Sequence, residues 1–321
     1  MTGAPVALLA CMRNEGVFLL EWLAYHRVIG FDPVLVATND CTDGSDALLD
    51  RLAAAGAVVH LANPTPPGEA PQDHGMRRAL AWLSDSPAEW LAHLDSDEFL
   101  NVAHGAGRVQ DLLALAGAAH VIALPWRAFG DSGLTDWPGE TLPAFTACEA
   151  APGPETTKFK SLFRFRAFAH CSDHMPTRPR IAAPRVVSSA GEPLDGAVLL
   201  GPPRARYRPL DRALAPGACV NHYAVRSRDT FLMKNDRGDG QGKTSDKYHL
   251  NGRWHRMANR NEAQDRSILR HWPATRAEID RLRALPGVAE AETDCLADFA
   301  ARKARLLIPA TLRAWTKGAA A

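Results

Sequence analysis

The stretch that decides the fold of this chain reads WLAHLDSDEFL and spans residues 90–100. Its apolar run, Leu91 to Leu94, ends in three carboxylates within four residues. An apolar run of this length with polar neighbours predicts a buried strand. Such a strand presents its acids at the carboxyl edge of an open α/β sheet, where ligands usually bind.

Asp95 and Asp97 are the first candidate site residues. On an extended chain they face the same side, and Glu98 is expected to point to the opposite side. Two carboxylates aimed at one point repel each other unless a cation lies between them, and Mg²⁺ or Mn²⁺ suits oxygen ligands. The alternative is a solvated acidic turn, but the aromatic residues that bracket the acids favour partial burial.

Composition excludes several classes of protein. The chain has 321 residues, enough for one large α/β domain or two smaller ones. Its 37 Lys and Arg balance 36 Asp and Glu, which argues against a protein that coats nucleic acid. The six cysteines form no CxxC motif and suit a reducing compartment. No signal-peptide pattern or long apolar run occurs, so we expect a cytoplasmic protein.

Hydrophobic periodicity predicts alternating strands and helices in the first half of the chain. Strands are predicted at residues 5–11, 33–38, 57–61, 91–94 and 119–126, and helices at 17–30, 46–55, 72–84 and 108–116. This alternation indicates a parallel sheet with right-handed crossovers. Further on, a strand is predicted at 160–165 and helices at 228–236, 260–285 and 297–318, the last of them basic.

Three polar segments follow predicted strands: RNE at 13–15, NDCTDGS at 39–45 and DSDE at 95–98. Gln72 starts the helix before the acids, and the motifs WRAFG at 126–130 and NHYAVRS at 221–227 come later. In this order and spacing the chain resembles glycosyltransferases of the GT-A fold, specifically the family 2-like group that includes family 92. The resemblance covers roughly residues 5–240.

The resemblance implies an α/β, Rossmann-like fold whose mostly parallel sheet is flanked by helices, with acceptor-side loops and a helical tail. A catalytic domain would span 1–255, with a nucleotide-sugar half up to about 126 and an acceptor half from 127, and an extension would span 256–321. It also implies a hexosyltransferase-type enzyme that needs Mn²⁺ or Mg²⁺ and inverts the sugar. The expected donor is a UDP-sugar, and the acceptor a glycan or a lipid-linked molecule.

The metal site expected from the resemblance consists of Asp97 as a direct ligand, Asp95 close by, and a late histidine. His222 fits that position because it follows the apolar run 218–220. Imidazole is a good ligand for Mn²⁺. The structural alternative is a strand histidine whose ring is satisfied by a backbone carbonyl.

In the site for the nucleotide-sugar, acidic side chains would bind the nucleoside and basic side chains would bind the diphosphate. Carboxylates suit ribose hydroxyls and the uracil N–H because they only accept hydrogen bonds. The candidates for the nucleotide slot are Arg13, Asn14, Glu15, Asp40, Asp43 and Gln72. The candidates for the diphosphate are Lys160, Arg226, Lys234, Arg237 and Lys243. The alternative for residues 39–45 is an Asx turn that caps a helix.

Direct inverting transfer needs a general base for the acceptor hydroxyl. Asp131 is the first candidate and Asp173 the second. The cluster HCSDH at 170–174 invites a zinc interpretation, but Pro176 argues against the helix that i, i+4 ligands need. The glycine-bearing, basic segment 237–254 is expected to be a lid over the donor.

Two rival classes stay open. A nucleotidyltransferase shares this kind of sheet, but it normally carries a glycine-rich basic signature after the first strand, which residues 11–16 lack. A non-catalytic carbohydrate-binding protein has no need for paired acids at a strand end. The basic C-terminal helix allows a peripheral contact with the inner face of the membrane.

Overall fold

The structure is a computed structural model that describes residues 5–151, 158–202, 206, 217–238 and 246–318. Its strands are β1 Val6–Met12, β2 Val34–Thr38, β3 Val59–Ala62, β4 Trp90–His93, β5 Glu98–Val102, β6 Val121–Ala128, β7 Ala147–Cys148, β8 Phe159–Arg164, β9 Phe168–Cys171, β10 Pro176–Pro179, β11 Val186–Val187, β12 Pro193–Leu194, β13 Ala218–His222 and β14 Ala263–Gln264. Its α-helices are α1 Gly16–Val28, α2 Ser45–Ala54, α3 Pro71–Leu83, α4 Val109–Ala116, α5 Ala197–Leu200, α6 Arg228–Arg237, α7 Arg253–Ala258, α8 Trp272–Arg283, α9 Val288–Leu306 and α10 Pro309–Ala314. Short 3₁₀ helices cover Phe165–Ala167, Asp246–Tyr248 and Ser267–His271.

A ten-stranded mixed sheet forms the centre of the protein. Eight strands follow the order β12-β11-β6-β8-β4-β1-β2-β3, and β13 pairs with both β5 and β6. Strands β3, β2, β1 and β4 are parallel, whereas β8 runs antiparallel between β4 and β6. Helices cover the sheet, so the predicted α/β class, with a parallel half built by β-α-β crossovers, is confirmed.

The parallel pairing brings several strand ends to one edge. Strand β1 is almost entirely buried and apolar, as expected for a strand that is covered on both faces. In its register Met12 pairs with Thr38 and Leu9 pairs with His93. The polar segments after β1, β2 and β4 therefore meet at this carboxyl edge.

Helix α1 is hydrogen-bonded to β5, the strand that follows the acidic residues. The indole N–H of Trp22 donates to the carbonyl of Glu98 at 3.1 Å, and the Tyr25 hydroxyl donates to the carbonyl of Leu100 at 2.7 Å. Both side chains are fully buried. Paired polar groups inside an apolar core fix one register, because a shifted register would leave them without partners.

The C-terminal helices pack onto the first ones. Helix α8 lies along α1 and α9 lies along α2, with Leu282, Val288 and Cys295 fully buried in the same core as β1. The predicted single helix over 297–318 is wrong, because α9 ends at Leu306 and α10 begins at Pro309, which cannot continue a helix.

The predicted helix over 260–285 is also corrected. Its first residues include β14, which pairs with β7, and a 3₁₀ turn precedes α8. Long-range pairing has overridden the local helical pattern there. None of the helices in the described part of the chain combines the length and the apolar character that crossing a bilayer requires.

Because α8 closes the core over α1, Leu282→Ala should lower the free energy of unfolding by about 2–4 kcal/mol. Urea unfolding followed by circular dichroism measures this. Leu296→Ala is the control, since this α9 side chain is 41% exposed and should cost less than about 1 kcal/mol. Equal effects of the two substitutions would contradict the packing described.

Candidate active site

A cavity of about 400 Å³ opens at the carboxyl edge of β1, β2 and β4. Acidic, basic and aromatic side chains share its wall. The lining residues that concern the chemistry are Cys11, Arg13, Glu15, Asn39, Gln72, Asp95, Asp97, Trp126, Lys158, Asp173, His174, His222, Lys234, Arg237, Lys247, Tyr248 and Trp254. This is the mixture expected of a site that takes a polar, charged ligand.

The acids lie in a tight turn and not on an extended strand. Strand β4 ends at His93, β5 begins at Glu98, and the Glu98 N–H donates to the carbonyl of Asp95 at 3.0 Å. The side chain of Glu98 returns to accept from the Asp95 N–H at 2.9 Å. The expectation that Glu98 points away from Asp95 is therefore wrong, because the turn reverses the chain.

Lys160 lies under the cavity with its ammonium among three carboxylates. Its Nζ is 2.8 Å from Asp173, 3.1 Å from Asp95 and 3.1 Å from Glu98, and the side chain is fully buried. Burial opposes the charge, but the carboxylates outweigh it and raise the pKa of Lys160 well above its usual value. For Glu98 the balance is reversed, because burial raises its pKa well above the usual value although the Lys160 ammonium opposes the rise.

Asp173 reaches this cluster from the loop after β9. Gln72 donates to its carboxylate at 3.1 Å, and burial, which would raise the pKa of Asp173, is outweighed by the Lys160 ammonium, which holds that pKa well below its usual value. His93 donates from Nδ1 to the Asp173 carbonyl at 3.0 Å. Possible ligand atoms of His93, Asp95 and Asp173 all lie within 4.8 Å of one another, a spacing that suits a metal ion.

Asp97 faces a second group of charges. Lys234 donates to its Oδ2 at 2.6 Å and to the carbonyl of Ala224 at 2.7 Å, while Nε2 of His222 lies 3.7 Å from its Oδ1. Burial would raise the pKa of Asp97, but the Lys234 ammonium outweighs it and lowers that pKa. Burial lowers the pKa of His222 to about 3, so its ring is neutral at pH 7 and able to ligate a metal.

Helix α6 supplies both long cations of this side. Lys234 and Arg237 are three residues apart and so lie on one face of the helix. Arg237 pairs with the carboxylate of Glu15 at 2.5 Å. Arg226, which lies before α6, donates to the carbonyl of Ser96 at 2.7 Å and so holds the acidic turn from beneath.

Three of the turns around the site contain left-handed residues other than glycine: Asn14, Asp40 and Arg226, with φ of 54°, 47° and 50°. Such conformations are uncommon and occur where the surroundings over-determine the backbone. Asn14 accepts from the backbone N–H of Thr42 at 2.8 Å and so joins the ends of β1 and β2. Asp40 is exposed, whereas the preceding Asn39 lines the cavity.

The remaining candidates lie apart from the large cavity. Asp43 accepts from the N–H groups of Gly16 and Ser45 at 3.0 and 2.9 Å, at the starts of α1 and α2. Asp131 is held by the side-chain amides of Asn259 and Asn261 at 2.8 and 3.2 Å. Lys243 and the middle of the predicted lid, residues 239–245, lie outside the described residues.

An aromatic wall was missed from the sequence. The rings of Trp126 and His222 are 4.4 Å apart, those of Trp126 and His174 are 5.1 Å apart, and Tyr248 and Trp254 line the same cavity. His93 was not predicted as a site residue either, although it stands within the stretch 90–100 beside the acids. The presence of these aromatic residues was visible in the sequence, but their convergence depends on long-range packing.

No family model matches the chain. A glycosyltransferase family 92 protein of Ricinus communis is 25% identical over 140 residues, which cover 43% of this chain and 25% of that protein. Another of Oryza sativa subsp. japonica is 27% identical over 156 residues, which cover 48% and 26%. The chain thus spans about a quarter of the length of the curated relatives it matches.

The crystal structure of S. aureus TarS aligns over 95% of this chain and 93% of its own, with 14% identity and a TM-score of 0.36. That likeness is too low to carry an argument. The curated relatives bear the name of the family that the sequence resembles, so the predicted resemblance is confirmed. Both of these relatives are named as glycosyltransferases.

Because Lys234 neutralises a buried carboxylate, Lys234→Met should lower the free energy of unfolding at pH 7 by about 3–5 kcal/mol. The pKa of Asp97 is lowered in the folded protein, so its contribution is complete above the unfolded value of 3.8 and is lost as pH falls below it. The difference between the two proteins should therefore shrink below about pH 4. Urea unfolding at several pH values measures it.

Lys303→Met is the matched control for this substitution. Lys303 pairs with Asp136 and Asp229, but its side chain is 32% exposed, so the cost should stay near 0–1 kcal/mol. A Lys234→Met cost that is equally small, or that does not change with pH, would contradict the account of Asp97.

Proposed function

We propose that the protein is a divalent-metal-dependent glycosyltransferase that moves a sugar from a UDP-sugar to a hydroxyl of a glycan or lipid-linked acceptor, with inversion. The observation that carries the proposal is the pairing of Asp97 and His222 on the cavity wall. Their facing oxygen and nitrogen atoms are 3.7 Å apart, and Lys234 and Arg237 lie on the same wall. The curated relatives support glycosyl transfer as the class of reaction.

The donor set of this wall fits a metal ion. Oδ1 of Asp97 faces His222 while Oδ2 takes the Lys234 ammonium, and the imidazole is neutral because burial lowers its pKa to about 3. A carboxylate oxygen and a neutral imidazole nitrogen suit Mn²⁺. A bound Mn²⁺ would neutralise charge that develops on the departing diphosphate. Asp97 and His222 would hold it, with Asp95 close by.

The chain itself provides the remaining diphosphate contacts. Lys234 and Arg237 carry positive charge on one face of α6 toward the cavity. Fixed cations in a partly dry cavity stabilise developing negative charge more than water does. Glu15, Asn39 and Arg13 at the ends of β1 and β2 would take the nucleoside.

Asp173 fits the role of general base better than Asp131. Asp173 lines the cavity and is ionised beside the Lys160 ammonium, which leaves it free of its own proton but also lowers its basicity. Asp131 hydrogen-bonds two asparagine side chains and is not among the lining residues. The aromatic wall of Trp126 and Trp254 beside Asp173 suits the C–H face of an acceptor sugar.

Asp97→Asn and His222→Ala should each reduce Mn²⁺-dependent release of UDP from UDP-sugars at least a hundredfold, because each removes a proposed ligand. Calorimetry with Mn²⁺ and UDP should record an affinity at least tenfold weaker. Circular dichroism and thermal melting check the fold. Unchanged Mn²⁺ binding in both variants would refute the metal position.

A panel of UDP-sugars and nucleoside triphosphates tests the rival nucleotidyltransferase on the wild-type protein. Pyrophosphate release from a triphosphate, without UDP release from any UDP-sugar, would favour the rival. Thermal stabilisation by a carbohydrate with no turnover of either donor would favour a binding protein.

Asp173→Asn should lower kcat for transfer by a hundredfold or more with a small change in KM for the donor, because it removes the proton acceptor. It also removes the ion pair with Lys160, so circular dichroism and thermal melting accompany the kinetics. Asp131→Asn is the matched control and should leave kcat within about threefold. The two rates are compared in a coupled UDP-release assay with a saccharide acceptor. The reverse order of effects would transfer the role to Asp131.

A further inference from the structure

The group formed by His93, Asp95 and Asp173 has the spacing of a metal site, yet a side-chain cation already lies among its acids. The Lys160 ammonium contacts one oxygen each of Asp95, Glu98 and Asp173 at 2.8–3.1 Å. A lysine ammonium has three N–H donors. Two of them donate to Asp95 and Asp173, and Glu98 lies in ion-pair contact with the same ammonium.

The position of Lys160 follows from the sheet. Strand β8 runs antiparallel between β4 and β6, and Lys160 pairs with Leu124 of β6. Its side chain is fully buried, and its three partners come from the turn after β4, the start of β5 and the loop after β9. One buried cation thus contacts acids from three different segments.

We propose that Lys160 is a built-in counter-cation, a positioning residue that holds Asp95 and Asp173 at the cavity and keeps divalent cations out of the His93–Asp95–Asp173 group. The protein then takes its metal ion at Asp97 and His222. Only this last statement rests on the proposed function. The exclusion of metal by Lys160 is a property of the cluster and does not depend on catalysis.

Electrostatics explains the exclusion. Lys160 occupies the space between Asp95, Glu98 and Asp173, so a divalent ion that entered the group would meet the ammonium at close range and be repelled. Lys234 differs, because it takes Oδ2 of Asp97 and leaves Oδ1 directed at His222. The ammonium is covalently attached to β8 and cannot be displaced to solvent without unpairing in the core. Removal of its charge and its volume leaves three acids and a histidine around a cation-sized space, which is a common set of ligands for Mn²⁺.

The test is the number of Mn²⁺ ions bound per chain, measured by calorimetry and by electron paramagnetic resonance. Lys160→Ala should bind one Mn²⁺ more than wild type, and methylammonium should compete with that additional ion. Lys160→Arg retains the charge and should bind the same number as wild type. Lys158→Ala is the matched control, because it removes a nearby cavity-lining lysine and should add no ion.

A folded Lys160→Ala protein with the wild-type Mn²⁺ count would overturn the proposal, because a purely structural lysine creates no metal site when it is removed. If Lys160→Ala does not fold, the number of Mn²⁺ ions bound by Asp97→Asn, which retains Lys160, tests the exclusion instead. We expect that variant to bind no Mn²⁺. A retained ion that a further His93→Ala substitution removes would mean that Lys160 does not exclude metal. Wild-type protein that binds no Mn²⁺ would count against the proposed function. The number of Mn²⁺ ions bound by Lys160→Ala would still test the exclusion of metal by Lys160.

Discussion

The whole site depends on how the protein compensates the carboxylates that one short turn concentrates. Between β4 and β5 the chain reverses within four residues and gathers Asp95, Asp97 and Glu98. Buried like charges so close together would unfold the turn if they were left alone. Lys160 from β8 and Lys234 from α6 supply the opposing charges on its two sides. The place of β8 beside β4 is what brings the Lys160 ammonium to these acids.

The turn also directs its acids to two different places, whereas an extended strand would have directed Asp95 and Asp97 to the same side. Asp95 and Glu98 share an internal ammonium, whereas Asp97 faces His222 and the open cavity. The first pair is committed to holding the site together, and Asp97 keeps one oxygen directed at a neutral imidazole. Ion pairs that fix the acidic turn below the cavity wall help to position ligands precisely on that wall.

Local patterns explain which parts of this architecture could be predicted. Apolar periodicity placed the elements from β1 to α3 within about two residues of their observed bounds, because a buried strand and an amphipathic helix each leave a repeat in the sequence. The direction of Glu98 was not predictable in this way, since it depends on a backbone reversal. The partners of Lys160 depend on the antiparallel insertion of β8, which is a long-range event. The break before Pro309 was visible in the sequence and was overlooked.

The same charge balance bears on the choice between sugar transfer and nucleotidyl transfer. A nucleoside triphosphate brings more negative charge than a UDP-sugar and needs more cations that are not already paired. Here Lys234 pairs with Asp97 and Arg237 pairs with Glu15, so the two cations of α6 would be shared between the cavity's own acids and a bound diphosphate. Beyond them the wall becomes aromatic, with Trp126 close to His222. Under the proposed function, the charged end of a sugar-linked diphosphate would meet α6 and the C–H face of the sugar would meet an indole, which suits this order of surfaces.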